Sequence, residues 1–236
     1  MINTLGLIKH HIDDADSRDR ETAVRVNALF PYELASIAER QGFRVLQIVT
    51  DCVYSGSRGG YTEDDKHDAT DVYGQTKSLG EVPSAAVLKL RCSVIGPEHS
   101  SQVNLMAWVL SHADGTAFNG YTDHIWNGLT TLAFARMIEG IIVSDNPISG
   151  TVHVEPRGSI SKYELARLIL SAYGRTEVEV LPVDTGARVD RTIATLHPEI
   201  NDRLWRDAGY SAIPTIEELV RELARAAGHT LDGDDA

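Results

Sequence analysis

Phe43-Arg44-Val45-Leu46-Gln47-Ile48-Val49-Thr50-Asp51-Cys52-Val53-Tyr54-Ser55-Gly56 is the stretch on which the fold turns. Its first seven residues are mostly apolar, the mark of a strand buried on both faces of a parallel sheet. Gly42 is a stop signal for the segment before it. There, Glu21 to Gln41 carries Ala23, Val26, Leu29, Phe30, Leu34, Ile37 and Ala38 at helical spacing. Upstream, Met1 to Lys9 reads as a strand, followed by a charged loop from His10 to Asp19. Downstream, Ser55 to Gly60 is a turn, Asp71 to Glu81 fits a helix and Ala86 to Arg91 a strand. Val103 to His112 completes the series as a helix with a broad apolar face. Strands alternating with helices in this way predict a parallel α/β sheet with right-handed crossovers and helices on both faces.

The second half is less regular. Gly115 to Gly128 reads as a loop holding Phe118, Tyr121 and Trp126. Helices are expected at Thr130 to Val143, Ser161 to Tyr173 (with Ser159 or Ser161 near the cap), Ile200 to Asp207 and Thr215 to Ala227. Short strands are expected at Gly150 to Val154 and Val178 to Leu181. The division predicted is residues 1–115 as the sheet domain and 116–230 as a small α/β lobe folded onto it, with strands shared between them, and 231–236 as a frayed acidic tail.

The chain has 236 residues and a formal net charge of −12, which argues against nucleic acid or an anionic membrane as partner, since both need a basic surface. No apolar run reaches the ~18 residues of a membrane span. The two cysteines, Cys52 and Cys92, sit in runs that read as strands; free buried thiols suit a reduced compartment, and the expected location is cytoplasmic. His10, His11, Asp13, Asp14 and Asp16 lack the spacing of a metal site and read as a solvated loop, so no metal is expected.

Chemistry enters at Tyr73 and Lys77. At i and i+4 of a helix both side chains share a face, and an ammonium beside a phenol lowers its pKa toward neutrality. Such a tyrosine exchanges a proton with an oxygen during hydride transfer. Thr50 ends the decisive strand, and the carboxyl ends of parallel strands are where α/β sheets bind ligands.

Thr50-Asp51-Cys52-Val53-Tyr54-Ser55-Gly56, the turn Gly59-Gly60-Tyr61-Thr62-Glu63-Asp64-Asp65, Tyr73-Gly74-Gln75-Thr76-Lys77 and Gly80-Glu81 stand in the order found in extended short-chain dehydrogenase/reductases, the nucleotide-sugar-modifying superfamily. The chain most resembles the dTDP-4-dehydrorhamnose reductase branch, with Asn27, the strand Leu88 to Ser93 and Asp190-Arg191 matching as well. The resemblance implies a Rossmann-like sheet binding NADP or NAD, and a nucleotide-sugar substrate. It gives Tyr73 the role of general acid, Lys77 that of holding the nicotinamide ribose, Thr50 that of orienting the substrate oxygen and Asn27 that of holding a relay water. Leu5, Gly6 and Ser93 are then expected at the cofactor, and Asp51, Cys52, Tyr121 and Arg191 at the substrate. Dehydratase relatives place Asp-Glu after the threonine; Cys52 stands there instead, which favours carbonyl reduction and leaves epimerisation open.

The family's opening Gly-x-x-Gly-x-x-Gly is missing, and residue 1 aligns with the family's fourth strand, so the Rossmann-like sheet is expected to be incomplete by roughly three strand–helix units. Three readings follow: a truncated enzyme, a chain completed by another or by self-association, and a non-catalytic nucleotide-sugar-binding relative. Val94 stands where the rhamnose-forming reductases tend to carry an aromatic residue, with Tyr121 or Trp126 as alternative stacking surfaces.

Overall fold

The computed structural model describes residues 1–98, 104–144 and 148–229; the expected acidic tail lies outside them. In chain order the strands are β1 (Ile2–Asn3), β2 (Val45–Val49), β3 (Val87–Arg91), β4 (Val94–Ile95), β5 (Ala117–Tyr121), β6 (His124–Trp126), β7 (Leu129–Thr130), β8 (Gly150–His153), β9 (Ile160–Ser161), β10 (Glu179–Val183) and β11 (Val189–Asp190). The helices are α1 (Ser17–Ala23), α2 (Phe30–Gln41), α3 (Val72–Leu79), α4 (Leu105–Leu110), α5 (Thr131–Val143), α6 (Lys162–Ala172), α7 (Pro198–Asp207) and α8 (Ile216–Ala226).

The main sheet is parallel throughout, in the order β1-β2-β3-β8. Its side chains alternate between two covered faces. Val45 and Val87 pack with Leu34, Ala35 and Ala38 of α2. Leu46, Leu88, Leu90 and Val152 pack on the other face with Phe134 and Met137 of α5 and Leu204 and Trp205 of α7. This is the parallel α/β sheet with helices on both faces that the alternation of elements predicts. β8 comes from the second half of the chain and closes the sheet beside β3. The remaining strands form small pairings: β5 with β10, β6 with β9 and β11, and β4 with β7. A second core beneath them joins Phe118, Trp126, Leu165, Ile169 and Val220.

Several expectations need correction. Residues 115–128 are not a loop: β5, β6 and the bend between them occupy most of it, because β5 finds a parallel partner in β10 some sixty residues downstream. The first strand is only Ile2–Asn3, and the chain from residue 4 onward leaves the sheet. Cys52 is not in a strand but in a 3₁₀ turn, Asp51–Val53, started by Thr50. The helix expected from Glu21 begins at Ser17, capped by the side chain of Asp16, and is interrupted by a π-helical turn at Val24–Leu29. The helix expected from Val103 is described from Leu105; Val103 itself lies outside the described residues.

Candidate functional site

β2 ends at Val49, and Thr50 turns the chain at the carboxyl edge of the sheet. Its hydroxyl accepts from the Cys52 amide at 3.1 Å and donates to Asp51 Oδ1 at 3.2 Å. Helix α3 is pressed against this turn. A β-carbon at Gly74 would collide with Ala69 and with the carbonyl of Cys52, so only glycine beside Tyr73 allows the approach. The Asp71 side chain caps α3 by accepting from the Gly74 amide at 2.7 Å and pairs with Lys9 at 2.8 Å. Asp14 accepts from the Val72 amide at 3.2 Å. Thus two residues of the 9–14 segment, Lys9 and Asp14, bond to the first turn of α3 or its cap.

The far end of α3 is clamped from the sheet. Gln47, Lys89 and Arg91 are buried polar residues on otherwise apolar strands. Gln47 donates to the Gly80 carbonyl at 3.0 Å, Lys89 to the Val82 carbonyl at 2.9 Å, and Arg91 pairs with Glu81. Polar side chains survive such burial only when bonded. Here their bonds fix the segment just after α3. On the opposite side, a β-carbon at Gly80 would strike the carbonyl of Asn27. The wide π-helical turn thereby packs directly on α3, and the Asn27 amide ties the neighbouring loop to both. Its Oδ1 accepts from Leu7 N at 2.8 Å, and its Nδ2 donates to Leu7 O at 3.0 Å and Thr76 Oγ1 at 3.3 Å.

Thr50, Tyr73 and Lys77 therefore converge. The Thr50 side chain at the end of β2 is near enough to the Tyr73 phenol to pull its pKa down. Lys77 donates to the Ile48 carbonyl at 3.4 Å, and a β-carbon at Gly6 would stand 3.6 Å from its Nζ. The expected lowering of the tyrosine is not what the charges produce. Burial raises the Tyr73 phenol, Cys52, Asp51 and Asp71 reinforce it, and Thr50 opposes it. Burial lowers Lys77, against the pull of Glu81 and Cys52. The phenol is thus held protonated, the form a general acid requires. Burial raises Asp51 despite Lys162 and Arg191, and pushes the Cys52 thiol up to about 12.

The other expected residues divide. Gly6 faces Lys77 and Asn27, while Leu5 beside it is 57% exposed. Arg191 reaches the turn after β2, its Nε donating to the Tyr54 carbonyl at 2.9 Å. Ser93 accepts from the Trp126 indole at 2.8 Å, which buries Trp126 in the second core rather than leaving its face open. Tyr121 ends β5 against His124, at a ring distance of 4.7 Å, with no bond to the Thr50–Tyr73 group among the described residues.

Two features escaped the sequence reading. One is Lys162, at the start of α6, whose charge acts on Asp51 and Cys52. The other is the network around Arg91. Arg91 donates to Tyr54 at 2.7 Å, to His153 Nε2 at 2.8 Å and to His67 Nε2 at 3.0 Å. Since a guanidinium only donates, both histidines accept at Nε2 and carry their proton on Nδ1. His153 passes it to the Ala194 carbonyl at 2.8 Å and His67 to Ser78 at 2.7 Å. Glu63, in the turn singled out by resemblance, accepts from His153 N, Thr195 Oγ1 and Leu196 N. The network joins β3, β8, α3 and the 194–196 segment.

A Rossmann-like parallel sheet with Thr50, Tyr73 and Lys77 assembled at the carboxyl end of a central strand defines an extended short-chain dehydrogenase/reductase. More narrowly, the chain belongs to the RmlD substrate binding domain family, which matches residues 8–227. The dTDP-4-dehydrorhamnose reductase of Mycobacterium tuberculosis is 25% identical over 216 residues, covering 86% of this chain and 69% of the relative. The spore coat polysaccharide biosynthesis protein SpsK of Bacillus subtilis is 26% identical, covering 83% and 69%. Among solved structures, the dTDP-4-dehydrorhamnose reductase of Bacillus anthracis in complex with NADP has a TM-score of 0.75 at 24% identity, covering 95% of this chain and 79% of that one. MoeE5 in complex with UDP-glucuronic acid and NAD has a TM-score of 0.69 at 17% identity, covering 96% and 79%. Among the described residues no helix is long and apolar enough to cross a membrane.

Proposed function

We propose that this chain carries the chemical and substrate-binding part of a nicotinamide-dependent reductase acting on a nucleotide-linked 4-keto sugar, of the dTDP-4-dehydrorhamnose reductase kind. The observation that supports it most is the convergence of Thr50, Tyr73 and Lys77 on one corner of the sheet, with the phenol held in its acid form. The donor set suits a nicotinamide ribose: Lys77 donates one long hydrogen bond inside the protein and keeps further donors for a diol, and Gly6 opposite leaves the approach clear. NADP or NAD, when bound, supplies the hydride. Tyr73 gives its proton to the keto oxygen, Thr50 bonds the same oxygen and sets its direction, and Lys77 stabilises the phenolate that Tyr73 becomes. Asn27 positions this corner by bridging Leu7 and Thr76.

The test is consumption of NADPH or NADH in the presence of a dTDP-linked 4-keto-6-deoxy sugar. Tyr73→Phe is expected to reduce kcat by roughly 10²–10⁴-fold, the usual yield of a positioned general acid. Full activity in Tyr73→Phe overturns the assignment. A product inverted at one carbon with the cofactor unchanged identifies an epimerase on the same corner instead.

A further inference from the structure

Two histidines accept from Arg91, and they differ in access. His153 is fully buried, while His67 is half-buried. His67 also lines a cavity of about 310 Å³ with Val53, Ala69, Gln75, Ser78 and the exposed Leu79. Solvent protons therefore have a path to the His67 ring that His153 lacks.

The ring is held between two elements. The amides of Asp68 and Ala69 both donate to the Val53 carbonyl, at 3.1 and 3.0 Å, which fixes the backbone next to His67 against the turn after β2. The Tyr54 ring meets the imidazole edge-on at 5.4 Å. From this seat Nε2 accepts from Arg91 of β3 at 3.0 Å, and Nδ1 donates to Ser78 Oγ of α3 at 2.7 Å. Ser78 follows Lys77 directly, and Lys77 has only one long bond of its own to the sheet, 3.4 Å to the Ile48 carbonyl. The Arg91 nitrogen that serves His67 is also the one that pairs with Glu81 just beyond the helix. Two anchors of the Lys77 end of α3 thus share a single guanidinium nitrogen.

The bridge exists only while Nε2 is bare. A proton there would meet the Arg91 N–H groups, donor against donor and cation against cation. The charged and titratable groups around the ring are Arg91 and Lys89 from β3, Glu81 from the segment after α3, Asp68 beside it and Tyr54 from the turn after β2, with His153 behind Arg91. Burial lowers the ring, Arg91 and Lys89 add to this, and Glu81 and Asp68 oppose it. The imidazole is therefore neutral at pH 7, and it takes up its proton below the ordinary histidine value of about 6.5.

We propose that His67 is a positioning residue for Lys77: its neutral ring latches the end of α3 to β3, and its protonation releases that end. The consequence for Lys77 rests on the reductase reading above; the latch itself rests on the bonds of the ring.

The experiment is hydrogen exchange of residues 75–81 at pH 7.5 and pH 5, read by mass spectrometry, corrected for intrinsic rates and referred to α5. Wild-type protection is expected to drop on the order of tenfold between the two, as for the loss of one hydrogen bond to a charged group. His67→Gln offers an acceptor and a donor on one side chain and does not titrate, so its protection should not fall with acid. His67→Leu offers neither and should be poorly protected at both pH values. Acid-dependent loss in His67→Gln equal to that of wild type puts the proton on another group and overturns the proposal. So does full protection of His67→Leu at pH 7.5; if that variant does not fold, the glutamine arm decides alone. In the NADPH assay the acid limb of wild-type kcat should be absent from His67→Gln, and an identical limb in both overturns the positioning role. No turnover by wild type counts against the reductase reading, while the exchange arms still decide the latch.

Discussion

The two sides of the candidate site are built in opposite ways. The corner holding Thr50, Tyr73 and Lys77 is fixed by buried bonds at both ends of α3 and by two glycines that admit only close contact. The side holding Lys162 and Arg191 has half-buried cations with few internal partners. Under the proposed function the first side transfers a proton, a step that needs reacting groups held to fractions of an ångström, and its bonds meet that need. Recognition of a charged ligand needs donors not already satisfied within the protein, and only the second side has cations of that kind.

That contrast predicts unequal costs. Arg91→Met leaves Glu81 buried without its partner and should cost about 3–5 kcal/mol of stability. Denaturant unfolding measures it, and a cost near zero would break the comparison at its strongest point. The next effect is one of pH. His153 is fully buried and lowered to about 4, mainly by burial and then by Arg91. Its folded pKa lies below the unfolded value, so the unfolded chain binds the extra proton. The stabilisation is complete above about 6.5 and is lost as pH falls toward about 4, amounting to about 2 kcal/mol by pH 5. Unfolding at pH 7 and pH 5 should show a smaller decline in His153→Gln than in wild type. The smallest effect lies on the second side: Lys162→Met should change stability by no more than about 0.5 kcal/mol. A large loss of stability there would show that Lys162 is structural, and would erase the difference between the two sides.

The same contrast decides what could be read without a structure. Thr50, Tyr73 and Lys77 lie within thirty residues of one another on a strand end and one helix, so period and spacing exposed the elements that bring them together. The β2 and β3 runs were equally plain, because burial on both faces makes a strand apolar along most of its length. β5 and β6 were missed because each depends on a partner distant in sequence, and aromatic residues among glycines resemble a loop until that partner is known. Lys162 left only one signal, its place just inside the Ser161–Glu164 capping box, and that signal speaks of helix ends rather than ligands. The carboxylate of Glu63 had a place in a recognised turn, yet its task of bonding Thr195 and Leu196 is invisible from local sequence. The direction of the Tyr73 shift also went astray, because spacing reveals the lysine but not the depth of burial or the acids nearby.

β8 gives the molecule a particular order of assembly. It pairs with β3, and Arg91 reaches His153 across 62 residues of chain. During synthesis at ~5–20 residues per second, β3 is made several seconds before the strand that covers its open edge. For that interval the Arg91 guanidinium has Glu81 but neither histidine 153 nor the closing strand. The first half alone therefore holds the Thr50–Tyr73–Lys77 corner on a sheet whose β3 edge stays open until β8 arrives.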